Sequence, residues 1–348
     1  MNIVVLCGGL SPERNVSVSS ARRITQALKN LGHRAVLIDM YFGLEGCNLP
    51  LNDVFDLPLP AGEDGVDESE PDLTAVSEAR VLRSKSLFGE RVLELCAAAD
   101  LVFMALHGRC GEDGRVQAAF DLLGIRYTGS GYLGSTLAMD KRLTKIMAER
   151  IGIKTPDWMF CPPGGPCPAE DFPLPCVVKP VDSGSSIGVN MVETRRELDL
   201  ALEDAGTRGE SVIVEKRIYG REIQVSILGG AALPSIEIRP RCGFYDYHNK
   251  YQPGAADEIT PAPIPPEAEY RLARAATAIY SALGLRALAR ADFIMDGDGN
   301  FWFLEINTLP GMTPTSLAPQ EATAAGLSYE QLCQRIVELA FAEEEATV

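Results

Sequence analysis

Two carboxylates, an amide and a guanidinium recur at two-residue spacing late in the chain. Arg290 and Asp292 stand in Ala289-Arg290-Ala291-Asp292-Phe293, and Glu305 and Asn307 in Phe303-Leu304-Glu305-Ile306-Asn307. Both runs alternate apolar and polar, as a strand with one dry face does, and side chains two apart on a strand share a face. Gly297-Asp298-Gly299-Asn300 between them is turn chemistry, which predicts antiparallel neighbours. The polar groups would then gather on one side, and oxygen ligands of this kind suit Mg²⁺ sharing its shell with phosphate. A hairpin with a merely solvated polar face would look the same, so the other partners of such a site must be sought elsewhere in the chain.

Cations for a phosphate group are available. Lys179 ends the apolar run Val177-Val178-Lys179-Pro180, just before Ser183-Gly184-Ser185-Ser186-Ile187-Gly188. A loop of small residues lets backbone N–H groups converge on an anion. It is not a P-loop, because no Gly-Lys-Ser/Thr opens a helix, and it would serve equally as a plain turn. Lys141 follows Met139-Asp140 within one helix expected to run to about residue 151; an exposed helical cation is the alternative. His107-Gly108-Arg109-Cys110-Gly111-Glu112-Asp113-Gly114 lies at a strand end and opens a helix at about residue 115, where open α/β sheets hold ligands.

The elements that would carry these groups can be read in order. An apolar strand at 2–7, a helix with Ala21, Ile24, Leu28 and Leu31 on one face, and a strand at 34–39 make a βαβ unit. Gly8-Gly9 with Asp39 loosely resembles a dinucleotide fingerprint, but Ser11-Pro12-Glu13-Arg14 stands where its third glycine belongs. Residues 41–78 are acidic, Gly- and Pro-rich, and without Lys or Arg, which predicts a surface insertion. A helix at about 87–98 and a strand at 101–106 follow. Thr194-Arg195-Arg196-Glu197 is a capping box. Strands at 212–215 and 221–227 carry Glu215 and Glu222. Residues 241–263, with Tyr245, Tyr247, Lys250 and Tyr251, read as a lid or a disordered stretch. A last helix is capped at Ser328 and buries Leu332, Ile336 and Leu339.

With 348 residues, two or three domains are expected. A net charge of −16 argues against a nucleic-acid scaffold. No apolar run approaches a membrane span, and no targeting signal is visible, so a cytoplasmic protein with no membrane partner is expected. The nine cysteines show no metal-type spacing; no disulfide framework is expected, and Cys7, Cys96 and Cys176 read as core residues.

Taken together, these motifs fall in the order found in the D-alanine–D-alanine ligases, and the chain resembles that family over nearly its whole length apart from the acidic insertion. The matching pieces are Gly8-Gly-x-Ser-x-Glu13-Arg14-x-Val-Ser, the His107 loop, Met139-Asp-Lys141, Lys179-Pro with Gly184-Ser-Ser-x-Gly, Glu215-Lys216, Phe244-Tyr-Asp-Tyr with Lys250-Tyr251, Arg290-x-Asp292, and Glu305-x-Asn307-Thr-x-Pro-Gly-Met-Thr-x-x-Ser316-Leu317.

The resemblance implies an ATP-grasp fold, α/β and α+β. A parallel α/β amino-terminal domain (1–130, with the insertion at about 41–85) would precede two ATP-grasp subdomains, 131–215 and 216–348, the second bearing the lid. It implies ATP-dependent synthesis of D-alanyl-D-alanine through an acyl phosphate, for peptidoglycan precursors. Lys141, Lys179, Ser186 and Lys250 would hold the triphosphate, Glu215 with Lys216 the adenine, and Glu222 the ribose. Asp292, Glu305 and Asn307 would bind Mg²⁺, with Mn²⁺ an alternative. Glu13, His107 and Ser185 would hold the first D-alanine, Tyr251, Ser316 and Leu317 the second substrate, and Arg290 with the Gly311 N–H the tetrahedral oxyanion. A homodimer is implied as well. His248 stands where the family has an acidic residue, which leaves D-lactate or D-serine open as second substrate. Another carboxylate–amine ligase of the fold should lack Glu13 and the Ser316-Leu317 pair, and an ATP-binding regulator without turnover should have a broken metal set.

Overall fold

The computed structural model describes residues 1–60, 71–163, 167, 169–184, 187–241 and 254–342. Three sheets follow one another along the chain. In the first, β1 (Asn2–Cys7) lies between β2 (Arg34–Asp39) and β3 (Leu101–Met104), all parallel. Its run is apolar throughout because both faces are covered. Ile3, Val5 and Cys7 pack toward α1 (Arg14–Asn30) and the last helix, and Val4 and Leu6 pack on the other side against α4 (Val92–Ala98) and α5 (Arg115–Leu123). The helix expected at 87–98 thus begins only at Val92.

The acidic insertion is not wholly superficial. It holds the short helices α2 (Leu51–Val54) and α3 (Leu73–Ala79), and Tyr41, Leu44, Val54 and Phe55 enter the core. The fully buried Arg80 closes it, donating to the carbonyls of Ser86 and Phe88 while lying over the Tyr41 ring. Composition alone hid these few anchors among many acidic residues.

The single helix expected around Lys141 is two, α6 (Tyr132–Met139) and α7 (Lys141–Arg150). Asp140 leaves the helical conformation and its side chain accepts the Leu143 N–H, so it caps α7. The second sheet has the order β4 (Trp158–Cys161), β7 (Val212–Lys216), β5 (Cys176–Pro180), β6 (Asn190–Val192), all antiparallel. It is backed by α8 (Arg195–Thr207), which opens with the expected capping box of Thr194 and Glu197. One local disulfide joins Cys161 to Cys167, a single bridge and no framework, while Cys7, Cys96 and Cys176 are buried thiols as read.

The third sheet is antiparallel. Its core is β8 (Arg221–Leu228), flanked by β10 (Ile236–Pro240) and β12 (Leu288–Met295); β11 (Ala256–Ile259) and β13 (Phe301–Asn307) are the edges, and β9 (Ala231–Ala232) pairs with β8. The end of the segment expected to be a lid loop is therefore a strand. Residues 242–253, which hold His248, Lys250 and Tyr251, lie outside the described residues, as do Ser185 and Ser186.

One face of this sheet is dry. Ile223, Val225, Ala289, Ala291 and Phe293 bury against Leu272, Ala276 and Ile279 of α9 (Pro266–Ala282), each large side chain contributing about 1.5–3 kcal/mol. Pro266 at the first position of α9, with Glu267 and Glu269 in its first turn, suits a helix start. The other face carries the polar residues. Over it lies α10 (Leu317–Ala324), and α11 (Tyr329–Ala342) returns to the first sheet, where Leu332 and Ile336 pack. No helix among the described residues is long and apolar enough to cross a membrane.

Candidate active site

The strand spacing brings its four groups together. Arg290 pairs with Asn307 and Asp292 with Glu305 across β12 and β13. Arg290 donates from Nε and Nη2 to the two oxygens of Asp292 at 2.9 and 3.1 Å, and the Asn307 amide lies 3.4 Å from Asp292 Oδ2. A bulge after Asp292 leaves Leu304 without a ladder partner. Leu304 and Glu305 then both face the same cavity, which strict alternation forbids.

That cavity, about 520 Å³, opens between the second and third sheets. Lys141, Lys179, Glu215, Glu222, Asp292 and Glu305 line it, as does Lys216. Lys141, at the start of α7, lies 3.1 Å from Glu305 Oε2 and also donates to the Ser183 carbonyl. Lys179 is paired with Glu215. The other oxygen of Glu215 faces Lys145 Nζ at 2.7 Å, and Lys145 donates to Thr155 Oγ1 at 2.6 Å. Burial alone would raise the Glu215 carboxyl, yet the two lysines outweigh it and hold the group below its ordinary value. Burial lowers the Lys145 ammonium, and Glu215 offsets only part of that.

A second group of residues lies where the first sheet meets the others. Glu13 is the residue before α1, but its carboxylate makes no capping bond. It packs so closely on two glycines that a Cβ at Gly108 or at Gly184 would sit 2.7 Å from its Oε2. The small-residue loop thus meets the His107 loop at Glu13. His107 is buried, with Nε2 3.5 Å from Ser20 Oγ, and burial pulls its pKa down despite Glu13 nearby. Asp39 pairs with Arg14, and a Cβ at Gly8 would collide with the Asp39 carboxylate. Asp39, the residue a dinucleotide site would turn to a ribose, is thus engaged by Arg14 instead.

At the far end, Gly311 lies under Ser316, whose Oγ accepts the Thr313 N–H at 2.9 Å; a Cβ at Gly311 would come within 2.6 Å of that oxygen. The Leu317 side chain packs with Ile236 and Ile238 in the core. Leu317 opens α10 after Ser316, so its N–H is one of the donors the helix itself leaves unused.

The chain matches two family profiles, "D-ala D-ala ligase N-terminus" over residues 2–130 and "D-ala D-ala ligase C-terminus" over residues 167–338. It is 42% identical to the D-alanine–D-alanine ligase of Pediococcus pentosaceus over 97% of both chains, and 39% identical to that of Oleidesulfovibrio alaskensis over 98% of this chain and 97% of the other. The chain belongs to the D-alanine–D-alanine ligases. The ligase of Bacillus anthracis in complex with ATP superposes with a TM-score of 0.75 at 30% identity, covering all of both chains.

Three buried residues of this D-alanine–D-alanine ligase escaped the reading of its sequence. Lys145 stands four residues after Lys141, on the same side of α7, and that spacing was a usable signal. Glu112 lies in the glycine-rich His107 loop, but two of its three partners, Thr308 and Leu309, are far away in sequence. Glu321, on α10, accepts the N–H and hydroxyl of Ser226, and nothing local marks it.

Proposed function

We propose that this protein condenses two D-alanine molecules into D-alanyl-D-alanine, converting ATP to ADP and phosphate, to supply peptidoglycan precursors. The observation that carries this reading is its end-to-end likeness to ligases of that name at about 40% identity, with Lys141, Lys179, Glu215, Glu222, Asp292 and Glu305 lining one cavity.

A carboxylate is a poor electrophile, so the first D-alanine must be activated. Its carboxylate takes the γ-phosphate of ATP to give an acyl phosphate; the amine of the second D-alanine then attacks, and phosphate leaves the tetrahedral intermediate. Phosphoryl transfer depends on positioning and charge neutralisation, which Lys141 and Lys179 supply to the phosphates, joined by Lys250 and Ser186. Glu215 and the Lys216 backbone meet adenine, and Glu222 the ribose. Glu13 receives the ammonium of the first D-alanine, and His107 and Ser185 are assigned to the same substrate. Ser316 and the Leu317 N–H receive the second carboxylate, and Tyr251 is assigned to substrate binding. Arg290 and the Gly311 N–H stabilise the oxyanion.

Two carboxylates and an amide on one strand pair, beside the phosphate-facing lysines, are a donor set that fits Mg²⁺ or Mn²⁺. Among the described residues no three His, Cys, Asp or Glu cluster, and Mg²⁺ asks for only one or two carboxylates plus phosphate. Asp292, Glu305 and Asn307 would hold it, and when bound it neutralises charge on the transferring phosphoryl group. The division into domains at about 130 and 215, a cytoplasmic location and a homodimer belong to the same proposal.

Phosphate release from ATP and Mg²⁺ with D-alanine alone, with the product weighed by mass spectrometry, tests the reading. Adding D-lactate or D-serine distinguishes the second substrate, and a mixed product outcompeting the dipeptide would replace D-alanine in that role.

A further inference from the structure

Glu112 is buried between two parts of the chain that sequence separates widely. Its Oε2 accepts the Gly108 N–H at 3.0 Å. Its Oε1 accepts two successive N–H groups, Thr308 at 3.1 Å and Leu309 at 2.9 Å, from residues 196 and 197 positions away. Each end of this bridge leads to the site. Gly108 has a positive φ of 65° and no room for a side chain, because Glu13 Oε2 and Ser11 Oγ lie where its Cβ would be. Thr308 directly follows Asn307, and Leu309 is two residues before Gly311. Pro310, between Leu309 and Gly311, has no N–H of its own to anchor the turn.

We propose that Glu112 is a positioning residue for ligation, setting the distance between the anchor of the first substrate, Glu13 with His107, and the Asn307–Gly311 segment that faces the reacting phosphate and oxyanion. This rests on the roles proposed above. Glu13 is held against Gly108, Gly108 is held by Glu112, and Glu112 holds the backbone on either side of the Thr308–Leu309 peptide. One carboxyl group therefore connects substrate 1 to the phosphoryl-transfer segment through three hydrogen bonds. No further donor is needed to explain its burial, since both oxygens accept N–H groups. Such a link matters because small displacements between reacting groups cost large factors in rate.

The test is Glu112→Gln. An amide has one oxygen, so it can accept from the Gly108 side or from the Thr308–Leu309 side but not both, and its NH₂ must face an N–H on the other. The expected result is a KM for the first D-alanine raised about tenfold and a kcat lowered about 10- to 100-fold, with the dissociation constant of a non-hydrolysable ATP analogue held within about twofold. A purely structural role would weaken analogue binding along with turnover, and that outcome would overturn the proposal. So would kcat and first-substrate KM both close to those of the parent. Combining Glu112→Gln with Glu13→Gln adds a second readout: the effects should be less than multiplicative, because both act on the same assembly, and strict multiplication would contradict the link. If the Gln variant does not fold, Glu112→Asp, which keeps the charge and shortens the reach, carries the same measurements. A parent protein that releases no phosphate with D-alanine would instead refute the ligase reading itself.

Discussion

Arg290 holds both oxygens of Asp292 from one turn of the pleat away on the same strand, at 2.9 and 3.1 Å. The pair fixes the carboxylate's orientation toward the cavity, and Asp292 is only 4% exposed. Asp292→Asn keeps the shape and removes the charge. Phosphate release should fall about 10²–10³-fold, comparable to losing one group that stabilises a transition state, with the circular dichroism of the fold unchanged. Turnover at the parent's level would remove Asp292 from the metal set.

Gly311 has its missing Cβ aimed at Ser316 Oγ. Gly311→Ala must displace that hydroxyl, which is also held by Thr313. The KM for the second D-alanine should rise about 10- to 100-fold, while ATP-analogue affinity stays where it was. Titrating D-alanine in steady-state phosphate release separates the two substrate constants; an unaltered second constant would place the second substrate elsewhere.

Lys145 is fully buried and shares Glu215 with Lys179. Lys145→Met leaves that buried carboxylate with one cation and Thr155 without its donor. Urea unfolding should show a loss of roughly 3–5 kcal/mol, the range for breaking a buried ion pair, and the KM for ATP should rise with it. A variant as stable as the parent would mean that Glu215 is satisfied by Lys179 alone.

Glu321 gives a pH signature. Burial pushes its carboxyl from an ordinary 4.5 up to about 8, against the opposing pull of the Ser226 donors. Between those values the folded protein binds a proton that the unfolded chain has released. This contribution is therefore complete below about pH 4.5 and is lost as pH rises toward 8. Glu321→Gln imitates the protonated acid, with one oxygen for the Ser226 N–H and one donor for its hydroxyl. Melting temperatures at pH 6 and pH 8 should differ less in the variant than in the parent, and an equal difference would refute the assignment.

The strands that carry the chemistry were legible because their apolar and polar residues alternate and a strong turn joins them. That logic gathers Arg290, Asp292, Glu305 and Asn307 on antiparallel neighbours, and the structure pairs Asp292 with Glu305 and Arg290 with Asn307. The bulge at Leu304 was only faintly legible: Phe303 and Leu304 are two apolar residues in succession, which breaks the alternation where the ladder slips by one residue, but such a pair also fits a strand with both faces covered. The break at Asp140 was half legible: an aspartate before Lys141 is a good cap, but the surrounding residues suit a helix on both sides. Glu112 and Glu321 lay beyond reach for another reason. The Thr308 and Leu309 N–H groups on Glu112, and Ser226 on Glu321, come from distant segments, and sequence patterns report local periodicity, not which buried carboxylate a distant N–H will meet.

The most direct test of the central claim is phosphate release by the purified protein with ATP, Mg²⁺ and D-alanine as the sole amino acid, followed by the mass of the product. Phosphate formed one for one with D-alanyl-D-alanine is the predicted result. ATP turnover with no dipeptide, or no turnover with D-alanine in either position, would contradict it.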